Sequence, residues 1–504
     1  MTERIANPAF AKLVMDADAV ATLISHGDVV GMSGFTGAGY PKALPAALAS
    51  RIDTAHQRGD EFMISLLTGA STAPDCDGVL AAVDGIAFRA PYQSDPQMRA
   101  KINDATSLYA DIHLSHLHNQ LAFGYLGELD WAVIEVAAIT PDGQLVPSSS
   151  VGPDRTFLER AERVIIEVND WQSDDLLGLH DIYYGTEAMP PYRQPIPLTS
   201  PGQIIGQPTL NVDISKVAAV VRTHQHDRNT VFKPLDDDSL AIAGYLLDFL
   251  NHEIKMGRLP ATLPPLQSGV GNIANAVLVG LLDSNLENLT GFTEVVQDGM
   301  IDLIDAGKVT VASATAFSLS PEYAAKMNQQ AADYRGKIVL RPQDISNHPE
   351  LVRRLGVIAV NGMIEADIYG NVNSTHLAGQ RMQNGIGGSG DFTRNASFSC
   401  FVSPSTAKNG AISAIVPMAS HVDHTEHDVG VIITEQGLAD LRGLAPRQRV
   451  ARIIDNCAHP NYRPALHEYY ERALRGAAGM QTPHDLATAL SWHQRFLASG
   501  TMAV

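Results

Sequence analysis

Cysteine is scarce in this 504-residue chain, and long apolar runs are missing. The three cysteines, Cys76, Cys400 and Cys457, are widely spaced and form no CxxC pair, which argues against a disulfide framework and a zinc ribbon and favours a reducing compartment. The longest uncharged stretch, residues 261–282, contains two prolines and several glycines and asparagines, so no membrane span is predicted. The first twenty residues show no apolar core after their early charges, so no signal peptide is predicted. We therefore expect a soluble cytoplasmic protein.

Positive charge is also in short supply. Lys and Arg number 36 against 55 Asp and Glu, which gives a net charge of −19. This balance disfavours nucleic acid and anionic membranes as partners, although one anion can still bind at a local site. Hydrophobic residues make up 45% of the chain, enough for a large core, and the length predicts two to four domains.

Short Val- and Ile-rich runs alternate with segments of helical period along most of the chain, which predicts open α/β sheets with mostly parallel strands. Predicted strands include residues 28–33, 63–67, 131–136, 164–168, 217–221, 309–312, 338–340, 357–360, 412–416 and 429–433. Predicted helices include residues 240–255, 272–282, 321–334 and 446–456, followed by a helical C-terminal tail at 462–474 and 483–497.

The two halves of the chain resemble each other. A glycine loop at residues 33–39 precedes a helix expected from Pro41, and a glycine loop at 268–271 precedes a helix from Asn272. We interpret this as two related α/β domains, residues 1–225 and 226–504. The alternative is that any two strand–loop–helix units look alike.

Two glycine clusters are candidate binding loops. Residues 267–274 (QSGVGNIA) open an apolar helix, whose first N–H groups attract phosphate or an oxyanion. As a dinucleotide fingerprint this match is weak, because the preceding residues 263–266 (LPPL) make a poor strand. Residues 384–390 (NGIGGSG) carry four glycines, whose N–H groups are suited to developing negative charge. The alternative interpretations are a tight structural loop for the first cluster and a flexible lid or linker for the second.

Several catalytic signatures are missing or incomplete. The sequence contains no P-loop, no HExxH and no GxSxG. Ser405 and Lys408 match S-x-x-K, but the accompanying S-D-N and K-T-G are absent, which leaves Lys408 as a possible cation for a phosphate. Histidines recur at His421, His424 and His427, in a segment of loop composition, and we expect polar surface there rather than a metal site. The same expectation applies to the histidines at positions 113, 116 and 118.

One set of motifs resembles the acetyl-CoA hydrolase/transferase family, the class I CoA-transferases. The resemblance extends over essentially the whole chain, and its motifs are residues 34–42 (GFTGAGYPK), 265–276 (PLQSGVGNIANA), 291–300 (GFTEVVQDGM), 361–374 (NGMIEADIYGNVNS), 384–390 and 434–443 (TEQGLADLRG). Composition alone would not select Glu294 from 55 acidic residues, since most such groups are solvated surface. The resemblance implies that Glu294 is the catalytic nucleophile.

The resemblance also implies the other site residues and the reaction. The backbone N–H groups of Val270 and Gly388 are expected to hold the oxyanion, with Arg228, Asn347 and Glu435 in supporting positions. The residues expected to contact coenzyme A are Gly269, Val270, Gly271, Asn272, Ile273, Ile364, Asn384, Gly388 and Lys408. The implied reaction moves CoA from an acyl-CoA, expected to be succinyl-CoA, to a short carboxylate, expected to be acetate, through acyl-glutamyl anhydride and glutamyl-CoA thioester intermediates. CoA is then a substrate, no bound cofactor or metal is expected, and a homodimer is the expected assembly.

Three other functions remain open. The first is an acetyl-CoA hydrolase of the same family, in which water replaces the acceptor acid. The second is an NAD-dependent oxidoreductase, since Glu294 lies 25 residues past Gly269, near the position of a ribose-binding acid. The third is a non-catalytic CoA-binding subunit.

Overall fold

The structure is a computed structural model that describes residues 4–70, 73–186, 190–229, 234–269, 271–477 and 479–503. Strands and helices in these residues are numbered in chain order. The strands are β1 Val29–Met32, β2 Ile64–Leu67, β3 Ile86–Ala90, β4 Leu108–Tyr109, β5 Trp131–Ile139, β6 Leu145–Pro147, β7 Arg163–Asn169, β8 Val217–Thr223, β9 Leu266–Ser268, β10 Leu289–Phe292, β11 Val295–Gln297, β12 Val309–Ala314, β13 Ala316–Ser318, β14 Ile338–Leu340, β15 Ile358–Gly362, β16 Glu365–Asp367, β17 Val372–Asn373, β18 His376–Leu377, β19 Arg381–Met382, β20 Phe398–Val402, β21 Thr406–Ala407, β22 Ile412–Ser413, β23 Ile415–Val416, β24 Val431–Thr434 and β25 Gly437–Asp440.

The helices are α1 Pro8–Ala11, α2 Ala17–Ala21, α3 Leu44–Gln57, α4 Val79–Ala82, α5 Pro96–Asn103, α6 Leu117–Ala122, α7 Asp154–Arg160, α8 Asp237–Lys255, α9 Asn272–Asp283, α10 Asp298–Asp305, α11 Pro321–Gln330, α12 Gln343–Ser346, α13 Pro349–Leu355, α14 Ser389–Thr393, α15 Pro446–Cys457, α16 Arg463–Gly476 and α17 Ser491–Ser499. Within the described ranges, no helix combines the length and the apolar character that a bilayer crossing requires.

The chain divides into two compact units. The first unit comprises residues 1–231, 290–305 and 309–355, and the second comprises 232–289, 306–308 and 356–504. The first break lies close to the predicted boundary after residue 225. After this break the structure differs from the predicted domain 226–504, because residues 290–305 and 309–355 pack with the first unit. Glu294 therefore belongs to the first unit rather than to the unit that holds the glycine loop at 268–271.

The first unit contains a parallel sheet with the strand order β4-β3-β2-β1-β5-β7-β8, and β6 is added antiparallel to β5. Its central strand β5 is buried at eight of nine positions, as expected for an apolar strand covered on both faces. In the later segments of this unit, three strands follow the order β14-β12-β10, and β11 pairs with β13.

The second unit contains strands in the order β9-β15-β20-β24-β25, parallel up to β24 and antiparallel at β25. The order β9-β15-β20-β24 matches β1-β5-β7-β8 of the first unit, and β14-β12-β10 matches β4-β3-β2. The helices α15, α16 and α17 end the chain and pack around a core that contains Ile453, Leu466 and Trp492. The prediction of two related α/β domains with mostly parallel sheets and a helical tail is confirmed.

Three local predictions were inaccurate. Strand β9 directly precedes the glycine loop, although the prolines at 264 and 265 argued against a strand, because pairing begins only at Leu266. Helix α3 begins at Leu44 instead of Pro41. In the tail, helix α17 begins at Ser491, later than the predicted position 483.

Candidate functional site

Glu294 lies at a bend between β10 and β11 in the first unit. The backbone holds this bend on both sides, because the Thr293 N–H donates to the Ser313 carbonyl at 2.9 Å and the Glu294 carbonyl accepts from the Thr315 N–H at 2.9 Å. Phe292 is fully buried, whereas the Glu294 side chain is partly accessible. The fold therefore presents this carboxylate from a rigid, otherwise apolar segment.

Asn347 contacts Glu294 directly. Its Nδ2 donates a hydrogen bond to Oε1 of Glu294 at 3.0 Å, and its side chain is completely buried. The hydroxyl of Ser346 donates to Oδ1 of Asn347 at 2.9 Å, which leaves the amide NH₂ to face the carboxylate. The predicted nucleophile and one predicted supporting residue therefore form a pair.

Asn347 follows the short helix α12, which is anchored at its first two residues. Gln343 donates from its N–H to the Gly152 carbonyl at 2.9 Å and from Nε2 to the Leu114 carbonyl at 2.9 Å. Asp344 forms a buried ion pair with Arg155 at 2.8 Å. Burial alone would raise the pKa of the Asp344 carboxyl, but the charge of Arg155 and the other neighbouring groups, among them the Thr186 hydroxyl, together outweigh burial, and the pKa is lowered. These contacts fix the position from which Asn347 reaches Glu294.

Apolar side chains surround the strand that follows Glu294. Val295 and Ala316 of the paired strands β11 and β13 pack with Phe35 and Leu114, and Tyr92 packs against this cluster. Burial raises the pKa of Tyr92 to about 12, and the negative charge of Glu294 contributes to the increase. The surroundings are therefore poor in water, as the expected mechanism requires.

Arg228 lies beside the glycine loop at residues 34–39 of the first unit. Its N–H donates to the Gly37 carbonyl at 2.9 Å, and its Nε forms an ion pair with Asp75 at 3.0 Å. A Cβ at position 37 would lie 2.2 Å from the Arg228 carbonyl oxygen, so only glycine permits this approach. The Arg228 side chain is 57% exposed, and the contacts described for it are those of the loop rather than of Glu294 and Asn347.

A buried charge network that was not predicted from the sequence lies under the same loop. Lys42 lies 2.5 Å from Glu135 and 3.0 Å from Asp227, and Asp227 also accepts from the Gly39 N–H at 3.1 Å. Burial tends to lower the pKa of Lys42, but Asp227 and Glu135 outweigh it and the pKa is raised. The available signal was a Lys at the end of motif 34–42 and a Glu within the apolar run of β5.

The second unit forms a pocket at the glycine loop after β9. Its volume is about 290 Å³, close to the lower end of the range for small-molecule sites. The four predicted CoA-contacting residues that line it are Gly269, Gly271, Asn272 and Ile273. Gly271 has a φ of 131°, which disfavours any other residue, and it precedes the first turn of helix α9. Val270, the remaining predicted member of this loop, lies outside the described residues.

The glycine loop at residues 384–390 is held by neighbouring loops of the same unit. Asn384 donates from Nδ2 to the Ser374 carbonyl at 3.0 Å, and Gly388 immediately precedes helix α14. Nε2 of His424 lies 3.1 Å from the Ser389 hydroxyl, and His424 is buried. The prediction of polar surface is therefore wrong for His424, which anchors this loop.

The other histidines singled out from the sequence lie in exposed, half-buried and buried positions. His427 is exposed, as expected, whereas His118 is buried and contacts the Thr156 hydroxyl at 2.8 Å. Over the described part of the chain, no group of three His, Cys, Asp or Glu side chains is arranged to hold a metal ion.

Three further predicted residues lie in the second unit. Ile364 donates from its N–H to the Asn373 carbonyl at 2.8 Å, just before β16. Lys408 is exposed in the turn between β21 and β22. Glu435 accepts from the Ser405 N–H at 2.6 Å and from the Ser405 hydroxyl. Burial raises the pKa of Glu435, but these hydrogen bonds and one from Gln436 together outweigh burial, and the pKa is lowered. The carboxylate is therefore well suited to orienting the Ser405 turn.

Sequence comparison places the chain among known proteins. Residues 2–220 match the acetyl-CoA hydrolase/transferase N-terminal domain and residues 325–470 match the C-terminal domain. The chain is 48% identical to the succinyl-CoA:acetate CoA-transferase of Clostridium kluyveri, covering 99% of this chain and 92% of that protein. It is 44% identical to the propanoyl-CoA:succinate CoA transferase of Escherichia coli (97% and 98% covered) and 42% identical to the acetyl-CoA hydrolase of Candida albicans (100% and 98% covered). The chain belongs to the acetyl-CoA hydrolase/transferase family, whose members are CoA transferases and hydrolases.

Solved structures confirm the fold. RipA from Yersinia pestis superposes with a TM-score of 0.71 at 22% identity, covering 92% of this chain and 98% of RipA. The 4-hydroxybutyrate CoA-transferase of Porphyromonas gingivalis gives a TM-score of 0.62 at 21% identity, with 92% and 98% covered.

Proposed function

We propose that this protein transfers coenzyme A from succinyl-CoA to acetate, with Glu294 as the nucleophile. The observation that carries the proposal is the Glu294–Asn347 pair: a carboxylate at a rigid bend among apolar side chains, oriented by a buried amide. The 48% identity to a succinyl-CoA:acetate CoA-transferase supports this choice of substrates.

The proposed reaction has two halves. Glu294 attacks the acyl carbonyl carbon, the C–S bond breaks, and an acyl-glutamyl anhydride and CoA thiolate form. The thiolate then attacks the glutamyl carbonyl carbon, which releases succinate and leaves a glutamyl-CoA thioester. Acetate reverses both steps: it attacks the thioester to give an acetyl-glutamyl anhydride and thiolate, and the thiolate takes the acetyl group and frees Glu294. Thioester is exchanged for thioester, so the scheme balances without ATP.

The apolar surroundings of Glu294 explain how a weak nucleophile can react. A carboxylate in water is stabilised by its hydration shell, and a dry site removes part of that stabilisation. Asn347 donates to Oε1 of Glu294 at 3.0 Å and so orients the carboxylate for the proposed attack. Each addition creates an oxyanion, for which we propose the N–H groups of Val270 and Gly388. One such donor is typically worth about 2.7–4 kcal/mol.

The second unit supplies the proposed CoA-binding residues. Gly269, Gly271, Asn272 and Ile273 line the pocket at the start of helix α9, where free N–H groups and the helix dipole favour a phosphate or an oxyanion. Ile364, Asn384, Gly388 and Lys408 complete the proposed CoA contacts, and Arg228 and Glu435 are proposed as supporting residues. We further propose a cytoplasmic homodimer that needs no metal ion.

Acetyl-CoA hydrolysis is the second candidate, because several relatives at 42–43% identity are named acetyl-CoA hydrolases. The two functions differ in what attacks the glutamyl-CoA thioester. A transferase releases CoA from succinyl-CoA only slowly without acetate and forms acetyl-CoA when acetate is added. A hydrolase releases free CoA at the same rate with and without acetate.

The decisive experiment traps the covalent intermediate. Mixing the protein with succinyl-CoA and no acceptor should load Glu294 as a thioester, which borohydride reduces to an alcohol that peptide mass mapping can locate. Glu294→Gln should show neither the modified peptide nor turnover. Modification of a different residue, or unchanged turnover in Glu294→Gln, would contradict the proposal.

A further inference from the structure

The last helix of the described chain lies beyond the residues that match the family's C-terminal domain. The matched C-terminal domain ends at residue 470, whereas the structure continues through helix α17 to residue 503. Residues 491–503 form what we call the tail segment. Besides packing into the core of the second unit, it contacts two of the sequence segments with proposed CoA contacts.

The first of these segments is the hairpin that carries Lys408. Lys408 and the next residue both have positive φ values, 50° and 55°, so the turn is tight and projects the lysine into solvent. The ammonium group of Lys408 lies 5.0 Å from the centroid of the Phe496 ring. The Met502 N–H donates to the Ala411 carbonyl at 2.7 Å, on the other side of the turn. The tail segment therefore holds both the hairpin backbone and the lysine side chain.

The second segment is the one that contains Ile364. Nε2 of His493 lies 2.7 Å from Oε2 of Glu365, and both side chains are almost fully buried. Burial raises the pKa of Glu365, but the contact with His493 and the hydrogen bonds from Ser420 together outweigh burial, and the pKa is lowered. One short helix thus contacts the residue after Ile364 and the side chain of Lys408.

We propose that the tail segment positions Lys408 to bind a phosphate group of coenzyme A, with Phe496 as the positioning residue; this inference rests on the proposed function. A free lysine side chain samples many rotamers, and ordering it against a phosphate has an entropic cost. An aromatic face attracts the ammonium group and limits its positions before the ligand arrives, which lowers that cost. Local preorganised positive charge matters in a protein whose net charge is −19.

The test measures CoA binding directly by calorimetry on the full-length protein. Phe496→Leu keeps an apolar side chain but removes the ring face, and it should weaken CoA binding by about two- to fivefold. Phe496→Tyr keeps the ring and should bind CoA like the wild type. Leu497→Ala, on the same helix and 60% exposed, is the matched control and should also bind like the wild type. Pantetheine, which lacks the phosphates, should bind all four proteins equally.

A double-mutant cycle tests whether Phe496 acts through Lys408. In a Lys408→Met background, Phe496→Leu should cause no further loss of CoA affinity. Equal CoA affinity of wild type and Phe496→Leu, or full additivity with Lys408→Met, would overturn the inference while leaving the proposed function intact. A wild type that fails to bind CoA would overturn the proposed function and this inference together. If Phe496→Leu unfolds, Phe496→Met in the same cycle gives the same comparison.

Discussion

Asn347 donates a hydrogen bond from Nδ2 to Oε1 of Glu294 across 3.0 Å, and it does so from a completely buried position. A hydrogen bond to a charged acceptor contributes about 1.5–3 kcal/mol. This bond fixes the direction of the carboxylate, and in the proposed mechanism the same donor would face the glutamyl oxygen of the intermediates. Asn347 is therefore expected to act on the chemical steps more than on CoA binding.

Asn347→Ala should lower kcat by about ten- to a hundredfold, because the carboxylate loses its orienting donor. The KM for succinyl-CoA should change much less. Ser346→Ala removes the hydroxyl that sets the amide orientation and should give a smaller loss, about two- to tenfold in kcat. Steady-state kinetics measures both variants. A rise in KM with unchanged kcat would instead assign Asn347 to substrate binding.

Gly269→Ala should weaken CoA binding without destabilising the fold. A Cβ at position 269 would lie 3.6 Å from its nearest neighbour, the Val360 carbonyl oxygen, and the backbone φ is not in the left-handed region. The protein without ligand therefore accommodates alanine at position 269. A loss of CoA affinity in this variant would then mean that CoA lies close to this residue. Gly244→Ala is the matched control, because a Cβ in that part of helix α8 meets nothing within 4 Å. Equal CoA affinity in both variants would place CoA away from Gly269.

Arg228→Met tests whether this arginine meets the distal carboxylate of succinyl-CoA. Its side chain is 57% exposed and paired with Asp75, so the expected loss is about 1 kcal/mol in kcat/KM for succinyl-CoA, with little loss for acetyl-CoA. Arg222→Met is a close control, since Arg222 is 55% exposed and also paired with an aspartate. Equal losses with both acyl-CoA substrates would place Arg228 at the shared reacting group instead.

The strand and helix pattern was predictable because it depends on local sequence. Apolar runs of three to nine residues fold as the buried strands, and both ends of strand β14 were predicted correctly. Strand β9 was missed because two prolines adjoin it and its three residues are stabilised by pairing with β15, whose residues follow about 90 positions later. The placement of residues 290–305 and 309–355 in the first unit likewise depends on long-range packing that no local pattern encodes.

The candidate site could be predicted only through the resemblance. Glu294 and Asn347 are 53 positions apart, and their contact exists only after the strands and helix α12 have packed. The Lys42–Glu135 pair spans 93 positions and lies in segments that look apolar in sequence. A buried charge is costly without a partner, so such pairs are visible only when the fold brings the partners together.

Glu135 provides a pH-dependent test of that buried network. Burial raises the pKa of its carboxyl to about 7, even though Lys42 opposes the increase. In the unfolded chain the same group ionises near its ordinary value of 4.5. Between these two values the folded protein retains a proton that the unfolded chain has released. Lys42, whose pKa is raised, stays charged throughout this window.

The free energy of unfolding should therefore decrease as the pH rises from about 5 to about 7.5, by up to about 3 kcal/mol from this group alone. Glu135→Gln cannot ionise, so its stability should decline less over the same interval, and urea unfolding at the two pH values measures the difference. Glu128→Gln, an exposed position in the same unit, is the control and should keep the wild-type decline. If the free energy of unfolding of Glu135→Gln declines as much as that of the wild type, the prediction is wrong. Glu135 would then already be ionised in the folded protein at pH 5, because Lys42 offsets the effect of burial.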